Sequence, residues 1–466
     1  METDAQSKLK QWLASGRAKL VPLTFPQREL WEASPVHPQD ATNNICSAID
    51  IRGPLTPEIC REALQLVVAR QEVMRTSFLP GKERPVQLVR LDRVEPAMVY
   101  RELSPAESTA EGLAEAMSGG FGRPFDLLGG PLYRVEMLRR GPDHYTVALT
   151  IHHAVADGWT FTTFVEDFAA ACLIQSRARG RDLGRLPGVR DSLPPLGMTY
   201  SAWGASERAL WDPSKIVRSA DYWRRRLAGS RLLFSDRGSA LDAPGTQLAR
   251  KNFVLPSHEF TTLKALAREA GGTLFSTLLA AFRVALFRWL GEDDTVVGTP
   301  VAGRSKSSVR ETMGYFSGIV PLRSRIDPSK PFIEISRAVH DEAVEDFAHV
   351  MPFAELAAAV EPGGRRGRHA VFDIRFAVQN HPYPGIHIPG ISVDVHSRSA
   401  GSTGTSRFDM ACEFNEDAGD LDIVWLYRPA VLTTADIGEI SRQFREVVTR
   451  VCRAPNECPA NFQTSH

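Results

Sequence analysis

Thr150-Ile151-His152-His153-Ala154-Val155-Ala156-Asp157-Gly158-Trp159-Thr160 is the stretch whose reading decides the fold. Upstream of it, Val147, Leu149 and Ile151 alternate with Thr146, Ala148 and Thr150, which is the period of a strand. Gly141-Pro142-Asp143 supplies a turn, and before that turn Tyr133, Val135 and Met137 alternate with Arg134 and Glu136. A hairpin is therefore expected across 133–151. Beyond Gly158 the period changes: Phe161, Phe164, Val165, Phe168, Ala169 and Cys172 recur at three- and four-residue steps, as on the buried face of a helix. The two histidines thus sit at a strand end and the aspartate at a helix start.

Neighbouring side chains on a strand point to opposite faces, so one imidazole faces a cleft while the other packs inward. An imidazole, with an unperturbed pKa of ~6.5, can take a proton from a nucleophile near neutral pH and return it. Asp157 either orients the loop through an arginine pair or acts directly. Taken alone, the motif is equally consistent with a strand that ends in two structural histidines. A metal site is disfavoured, because adjacent strand residues diverge and no Cys or His cluster nearby completes a tetrahedral set.

A chain of 466 residues has room for two or three domains and a large core. Lys plus Arg balances Asp plus Glu at 55 each, so charge offers no reason to expect nucleic acid or a membrane as partner. The six cysteines, at 46, 60, 172, 412, 452 and 458, form no CxxC, which suits a reduced, cytoplasmic chain. Residues 1–20 lack the apolar core of a signal peptide. The long apolar run 273–290 carries Arg283 and Arg288, so a buried helix is expected there rather than a membrane span.

Working outward, Leu23-Thr24-Phe25-Pro26-Gln27-Arg28-Glu29-Leu30-Trp31 reads as a turn into an amphipathic helix. Thr56-Pro57-Glu58 is a helix start, with a capping hydroxyl, a first-turn proline and an early acid. It leads to Arg70-Gln71-Glu72-Val73-Met74-Arg75-Thr76-Ser77-Phe78, where a strand begins and where Arg70 is expected in a surface or inter-element ion pair. The aperiodic 177–196 joins two lobes, giving an α/β (α+β) chain divided at 1–185 and 186–466. The second part offers helices over 263–270, 273–290 and 433–452 and strands over 294–304, 313–323, 371–378, 410–414 and 421–426.

With these stretches in place, the chain resembles the condensation domains of non-ribosomal peptide synthesis, within the superfamily of chloramphenicol-acetyltransferase-like acyltransferases. The family's HHxxxDG stands as His152-His153 with Asp157-Gly158. Its opening SxAQxRLW is matched by Thr24 to Trp31, its RHExLRTxF by Arg70 to Phe78, its DivvGtPvAgR by Asp294 to Arg304, and its GxFvNtlplR by Gly314 to Arg323. Pro352-Phe353-Ala354-Glu355-Leu356 and Arg407-Phe408-Asp409-Met410 match the late motifs, so the similarity runs in order along essentially the whole chain. Two departures stand out: Gln71 replaces a histidine, and Ser317-Gly318-Ile319 replaces Val-Asn-Thr.

The resemblance implies two chloramphenicol-acetyltransferase-like lobes forming a V around a central tunnel. It implies His153 as catalytic and His152 as mainly structural, with Asp157 and Gly158 completing the motif. Asp157 is expected to pair with Arg304, with Arg75 as runner-up, and Trp159, Ser317, Gly318 and Asn380 are expected along the tunnel. No metal or cofactor is expected on the chain itself, the phosphopantetheine belonging to a carrier protein. With no adenylation or carrier domain in the sequence, a free-standing enzyme is expected, similar to those of enediyne pathways. It would meet an acyl-loaded peptidyl carrier protein in trans and acylate a small-molecule hydroxyl or amine, making an ester or amide in antibiotic biosynthesis. The arginines at 177, 179 and 181 and at 365, 366 and 368 are candidates for guiding that carrier. The competing expectation is a non-catalytic, condensation-like docking module, whose central motif would ordinarily be degraded.

Overall fold

The computed structural model describes residues 4–33, 41, 43–53, 55–81, 84–92, 94–180, 190, 192–237, 248–360, 371–379, 387–388, 391–396, 408–417 and 419–462. The chain falls into two compact units, the first comprising Met1–Leu210, Ala302–Ser317 and His381–Gly404, the second Trp211–Val301, Gly318–Asn380 and Thr405–His466. The division expected at 185/186 differs from this: the first unit runs on to Leu210 and takes back two later segments. The reason is visible at the helix Tyr200–Leu210, whose Tyr200 and Trp203 are buried in the first unit's core against Phe316.

In the first unit, a six-stranded sheet runs in the order His387–Ile388, Ile391–His396, Asn44–Arg52, His144–His152, Tyr133–Gly141, Met98–Glu102. The expected hairpin is its centre, with Tyr133 opposite Ile151. Strand alternation sorts its side chains. Ile49, Ile51, Val147, Leu149 and Ile151 join the main core, while Ala48, Ala148 and Leu138 meet Leu113 and Met117 of the helix Ala110–Phe121 on the other face. Both faces are thus covered, which is why residues 145–152 are all buried. The helices Pro57–Arg70 and Gly158–Ala178 pack on the main-core face, the first begun by Thr56 accepting from the Ile59 amide. A three-stranded sheet, Ala18–Pro22, Val86–Arg90, Thr76–Leu79, flanks them.

In the second unit, the sheet order is Gly318–Arg325, Asp294–Val301, Ile374–Gln379, Met410–Asp417, Asp420–Tyr427, Ala249–Leu255. The helix Leu274–Leu290 is buried from Ser276 to Leu286, as the run 273–290 led one to expect. Its Arg283 is enclosed, donating to the carbonyls of Thr295 (2.6 Å) and Leu322 (2.8 Å); burial pulls its pKa down to about 10. Among the described residues no single helix is long and apolar enough to cross a membrane.

The strand expected over 313–323 begins only at Gly318. Residues 313–317 cannot join it because their amides are taken elsewhere: Met313 N–H donates to Gln71 Oε1 (2.9 Å) and Phe316 N–H to Asp157 Oδ2 (3.1 Å).

Candidate active site

His152 is the last residue of the strand His144–His152, and His153 opens a 3-10 turn, His153–Val155. The two histidines part company there. His152 is 1% exposed, edge-on to Phe125, while His153 is half-buried with its ring centroid 4.6 Å from that of Tyr315. The two side chains thus differ in burial and in ring neighbours, and the change from strand to turn after His152 separates their surroundings.

The backbone also sets their tautomers. The Ala156 carbonyl can only accept, so His153 Nδ1 at 2.7 Å carries a proton and donates it, leaving the ring's lone pair on Nε2. His152 Nδ1 instead accepts from the Ala154 amide at 3.1 Å, so its proton is on Nε2. Of the two, His153 presents a basic nitrogen at the far side of its ring, and His152 spends its basic nitrogen on capping the turn. Gln27 braces the same turn: its Nε2 donates to the Ala154 carbonyl (2.9 Å) and to Gln87 Oε1 (3.0 Å), and its Oε1 accepts from the Thr24 amide (2.9 Å).

Asp157 is the N-cap of the helix Gly158–Ala178 and 2% exposed. Its Oδ1 accepts from the Thr160 amide (3.0 Å) and from Arg304 Nη2 (3.1 Å); its Oδ2 accepts from the Phe316 amide (3.1 Å), with Ser317 Oγ at 3.5 Å. Arg304, its side chain 5% exposed, also donates to the carbonyls of Val309 (3.0 Å) and Thr312 (2.6 Å), and its guanidinium lies 3.9 Å from the Phe316 ring centroid. Gly303 permits the approach: its φ of +65° and a would-be Cβ 2.0 Å from the Phe316 carbonyl exclude other residues. The carboxylate is thus consumed in fastening Ala302–Ser317 beneath the histidine turn, so of the two roles left open for Asp157 the geometry supports orientation. Arg75 is not its partner. It reaches the carbonyls of Val68 (2.8 Å) and Ala69 (3.1 Å) in the helix Pro57–Arg70 and of Arg90 in the strand Val86–Arg90, because it ends the 3-10 turn Glu72–Arg75 that follows that helix.

Gln71, the departure from the family's histidine, is fully buried and links three segments. Its Nε2 donates to Asp167 Oδ2 (2.8 Å) and the Glu311 carbonyl (2.9 Å), while its Oε1 receives the Met313 amide. Asp167 also accepts from Arg70 (2.8 and 2.9 Å) and Arg190 (2.5 Å), so of the surface and inter-element pairs expected for Arg70 the structure has the inter-element one. Burial works against the charge on Glu311, but the Arg70 and Arg190 guanidiniums outweigh it and hold that carboxyl below its ordinary range.

The remaining expected residues divide. Gly158 is exposed at the first helical position, Trp159 is half-buried beside it, Ser317 lies at Asp157, and Gly318 opens a strand of the second unit. Asn380, Arg181, Arg365, Arg366 and Arg368 lie outside the described residues. Arg179 ion-pairs with Glu62 at 2.6 Å, and Arg177 stands in the last turn of the same helix. Sequence reasoning passed over Tyr315, Gln27 and Thr160. Only Thr160 carried a local signal: an acid followed three residues later by a hydroxyl, which here forms a reciprocal capping box.

With this geometry in view, the comparisons are specific. The family model for the Condensation domain matches residues 17–464, and the chain belongs to that family. It is 29% identical over 453 residues to one of the linear gramicidin synthase proteins of Brevibacillus parabrevis, covering 94% of this chain and 6% of that one. It is 31% identical over 366 residues to phosphinothricin tripeptide synthetase PhsC of Streptomyces viridochromogenes, covering 77% and 33%. The chain therefore spans a third or less of the length of these two relatives. Among solved structures, the X-domain from teicoplanin biosynthesis matches with a TM-score of 0.80 at 21% identity, over 96% of this chain and 98% of that one. SgcC5 of Streptomyces globisporus matches at 0.75 and 21%, over 94% and 100%. At such identities the two structures establish the fold, which is chloramphenicol-acetyltransferase-like, and not the activity.

Proposed function

We propose that this chain is an acyltransferase that condenses an acyl group, carried as a phosphopantetheinyl thioester on a carrier protein met in trans, with a small-molecule amine or hydroxyl in natural-product biosynthesis. The observation that carries the reading is the 2.7 Å contact of His153 Nδ1 with the Ala156 carbonyl: a carbonyl can only accept, so the proton belongs on Nδ1 and the neutral ring keeps on Nε2 the lone pair a general base needs. As the acceptor nitrogen or oxygen bonds to the thioester carbonyl carbon, His153 Nε2 takes its proton. When the carbon–sulfur bond then breaks, the same Nε2–H returns a proton to the departing thiolate. His152 and Asp157 do not touch the reacting atoms in this scheme; they hold the turn and the segment beneath it. Either nucleophile suits one base and one thioester. SgcC5, whose structure contains an aryl 1,2-ethanediol, is a fold-level precedent for a hydroxyl-bearing small molecule in such a protein.

The docking-module reading draws on the teicoplanin X-domain, whose structure in complex with OxyB is known and which shares the fold. The intact His152-His153 and Asp157-Gly158 and the ordered Asp157–Arg304 pair favour catalysis over it. The test is thioester consumption: an acyl-loaded carrier protein is incubated with matched amine and alcohol acceptors, and products are identified by mass spectrometry. Turnover that vanishes in folded His153→Ala supports the proposal. No turnover by wild type with any acceptor, together with tight carrier binding, supports the docking reading instead.

A further inference from the structure

In the second unit, well away in sequence from the histidine motif, the terminal strand Ala249–Leu255 and the last long helix, Thr434–Arg453, border an open cleft of about 660 Å³. Its lining holds five cations, Lys251, Arg442, Arg445, Arg450 and Arg453, and one acid, Glu446. The arginines, spaced three, five and three residues apart, lie on one helix face with Gly438, Ser441 and Thr449, and Lys251 and Phe253, two apart, share the facing side of the strand. From Arg442 to Arg453 the row is about 16 Å long at the α-helical rise.

Two of the five cations, Arg442 and Arg450, are paired within the chain, Arg442 with Glu439 (2.6 Å) as well as with Glu446. Glu446 is already taken by Arg288 (3.1 Å) and Arg442 (2.5 Å), and Arg450 pairs with Glu457 (3.0 Å). Among the described residues Lys251, Arg445 and Arg453 have no carboxylate at ion-pair distance; Arg445 lies over the Phe253 ring, 5.7 Å from its centroid. In a chain of zero formal net charge, three unneutralised cations facing one cleft are a local feature and not a general basic field.

We propose that this cleft binds an acidic helical segment of a partner protein. Carboxylates seven or eight residues apart on one face of such a helix match the rise of about 12 Å between Arg445 and Arg453, with Lys251 across the cleft. The Phe253 ring and the arginine stems provide an apolar floor of the kind a helix covers. Glu446, standing within the row, repels a continuous polyanion but leaves discrete carboxylates free to pair on either side of it. The inference does not depend on the acyl-transfer reading, since none of these residues belongs to the histidine site.

The probe is a fluorescein-labelled, helix-stapled 16-residue peptide with glutamates on one face, titrated by fluorescence anisotropy at low and high salt. Lys251→Glu/Arg445→Glu/Arg453→Glu should weaken binding by about ten-fold or more, and the salt dependence should flatten. A charge-matched control, Arg61→Glu/Arg225→Glu/Arg268→Glu, should stay within about two-fold of wild type. The milder Lys251→Gln/Arg445→Gln/Arg453→Gln should move in the same direction as the reversal, which guards against a folding artefact; melting curves are recorded for all variants. The proposal is overturned if wild type does not bind the peptide, if the cleft variants bind like wild type, or if the control loses as much as they do. Displacement of the peptide by micromolar tripolyphosphate also overturns it, by identifying a phosphate site.

Discussion

Replacing Arg304 by methionine keeps most of its volume and removes its charge and donors. Three hydrogen bonds are lost, to Asp157 Oδ1 and to the carbonyls of Val309 and Thr312, together with the stacking on Phe316. Asp157, 2% exposed, is left as a buried carboxylate with backbone donors but no counter-charge. Breaking a buried pair in this way costs about 3–5 kcal/mol, and Asp157→Asn, which leaves the guanidinium uncompensated, should cost a similar amount. The double variant carries neither orphaned charge. Its cost should fall short of the sum of the singles by about 1–3 kcal/mol, the coupling typical of residues in direct contact. Urea unfolding of the four proteins gives the cycle. Hydrogen exchange at the Met313 and Phe316 amides, both bonded to side chains of the first unit, reports whether Ala302–Ser317 has come loose. Costs that add to within about 0.5 kcal/mol, or a single Arg304→Met as stable as wild type, would refute the claim that this pair fastens the segment.

His153→Ala should lower turnover by about 10²- to 10⁴-fold with little change in melting temperature, whereas His152→Ala, at a fully buried cap, should lower stability first; single-turnover kinetics and thermal melts separate the two. Gln71→Ala should destabilise by about 1–3 kcal/mol, because the Met313 amide and the Glu311 carbonyl lose their partner in a dry site; urea midpoints measure it. Burial alone would raise the Glu72 carboxyl, but donors from Lys19 and Ser201 outweigh it and hold its pKa below the ordinary 4.5. A depressed folded-state value contributes stability above pH 4.5 that is lost as pH falls through the lower folded value, so Glu72→Gln should flatten the acid limb of the stability–pH curve and a limb of unchanged slope would count against it. Gly303→Ala should be destabilising by more than the ~1 kcal/mol of an ordinary glycine exchange, read by the same urea series, since both its φ and the Phe316 carbonyl oppose a Cβ.

The legible parts of the sequence were those in which local chemistry and long-range packing agree. The hairpin ending at His152, the helix after Asp157, the Thr56 cap and the buried helix Leu274–Leu290 all follow from period and capping residues within a dozen positions. The strand over 313–323 was misjudged at its start because nothing local reveals that side chains some 160 and 240 residues away, Asp157 and Gln71, claim its first amides. The runner-up pairing of Arg75 failed for a similar reason: its position in the chain leaves open which carbonyls or carboxylates its guanidinium will find.

By itself the sequence determined the order of elements, the membership of a family whose motifs recur in order, and the pairing of an acid at a helix start with an arginine far along the chain. These are written in periodicities and residue types, which act over one or two turns or are carried whole by a motif. Tertiary structure alone decided that Ala302–Ser317 belongs with the first unit, that Gln71 joins three segments in place of a histidine, and that the two adjacent imidazoles are held in opposite tautomers. Each of these depends on which backbone amide or carbonyl arrives beside a given side chain. That is fixed by the packing of segments distant in sequence or by the exact course of a turn, and no residue type encodes it.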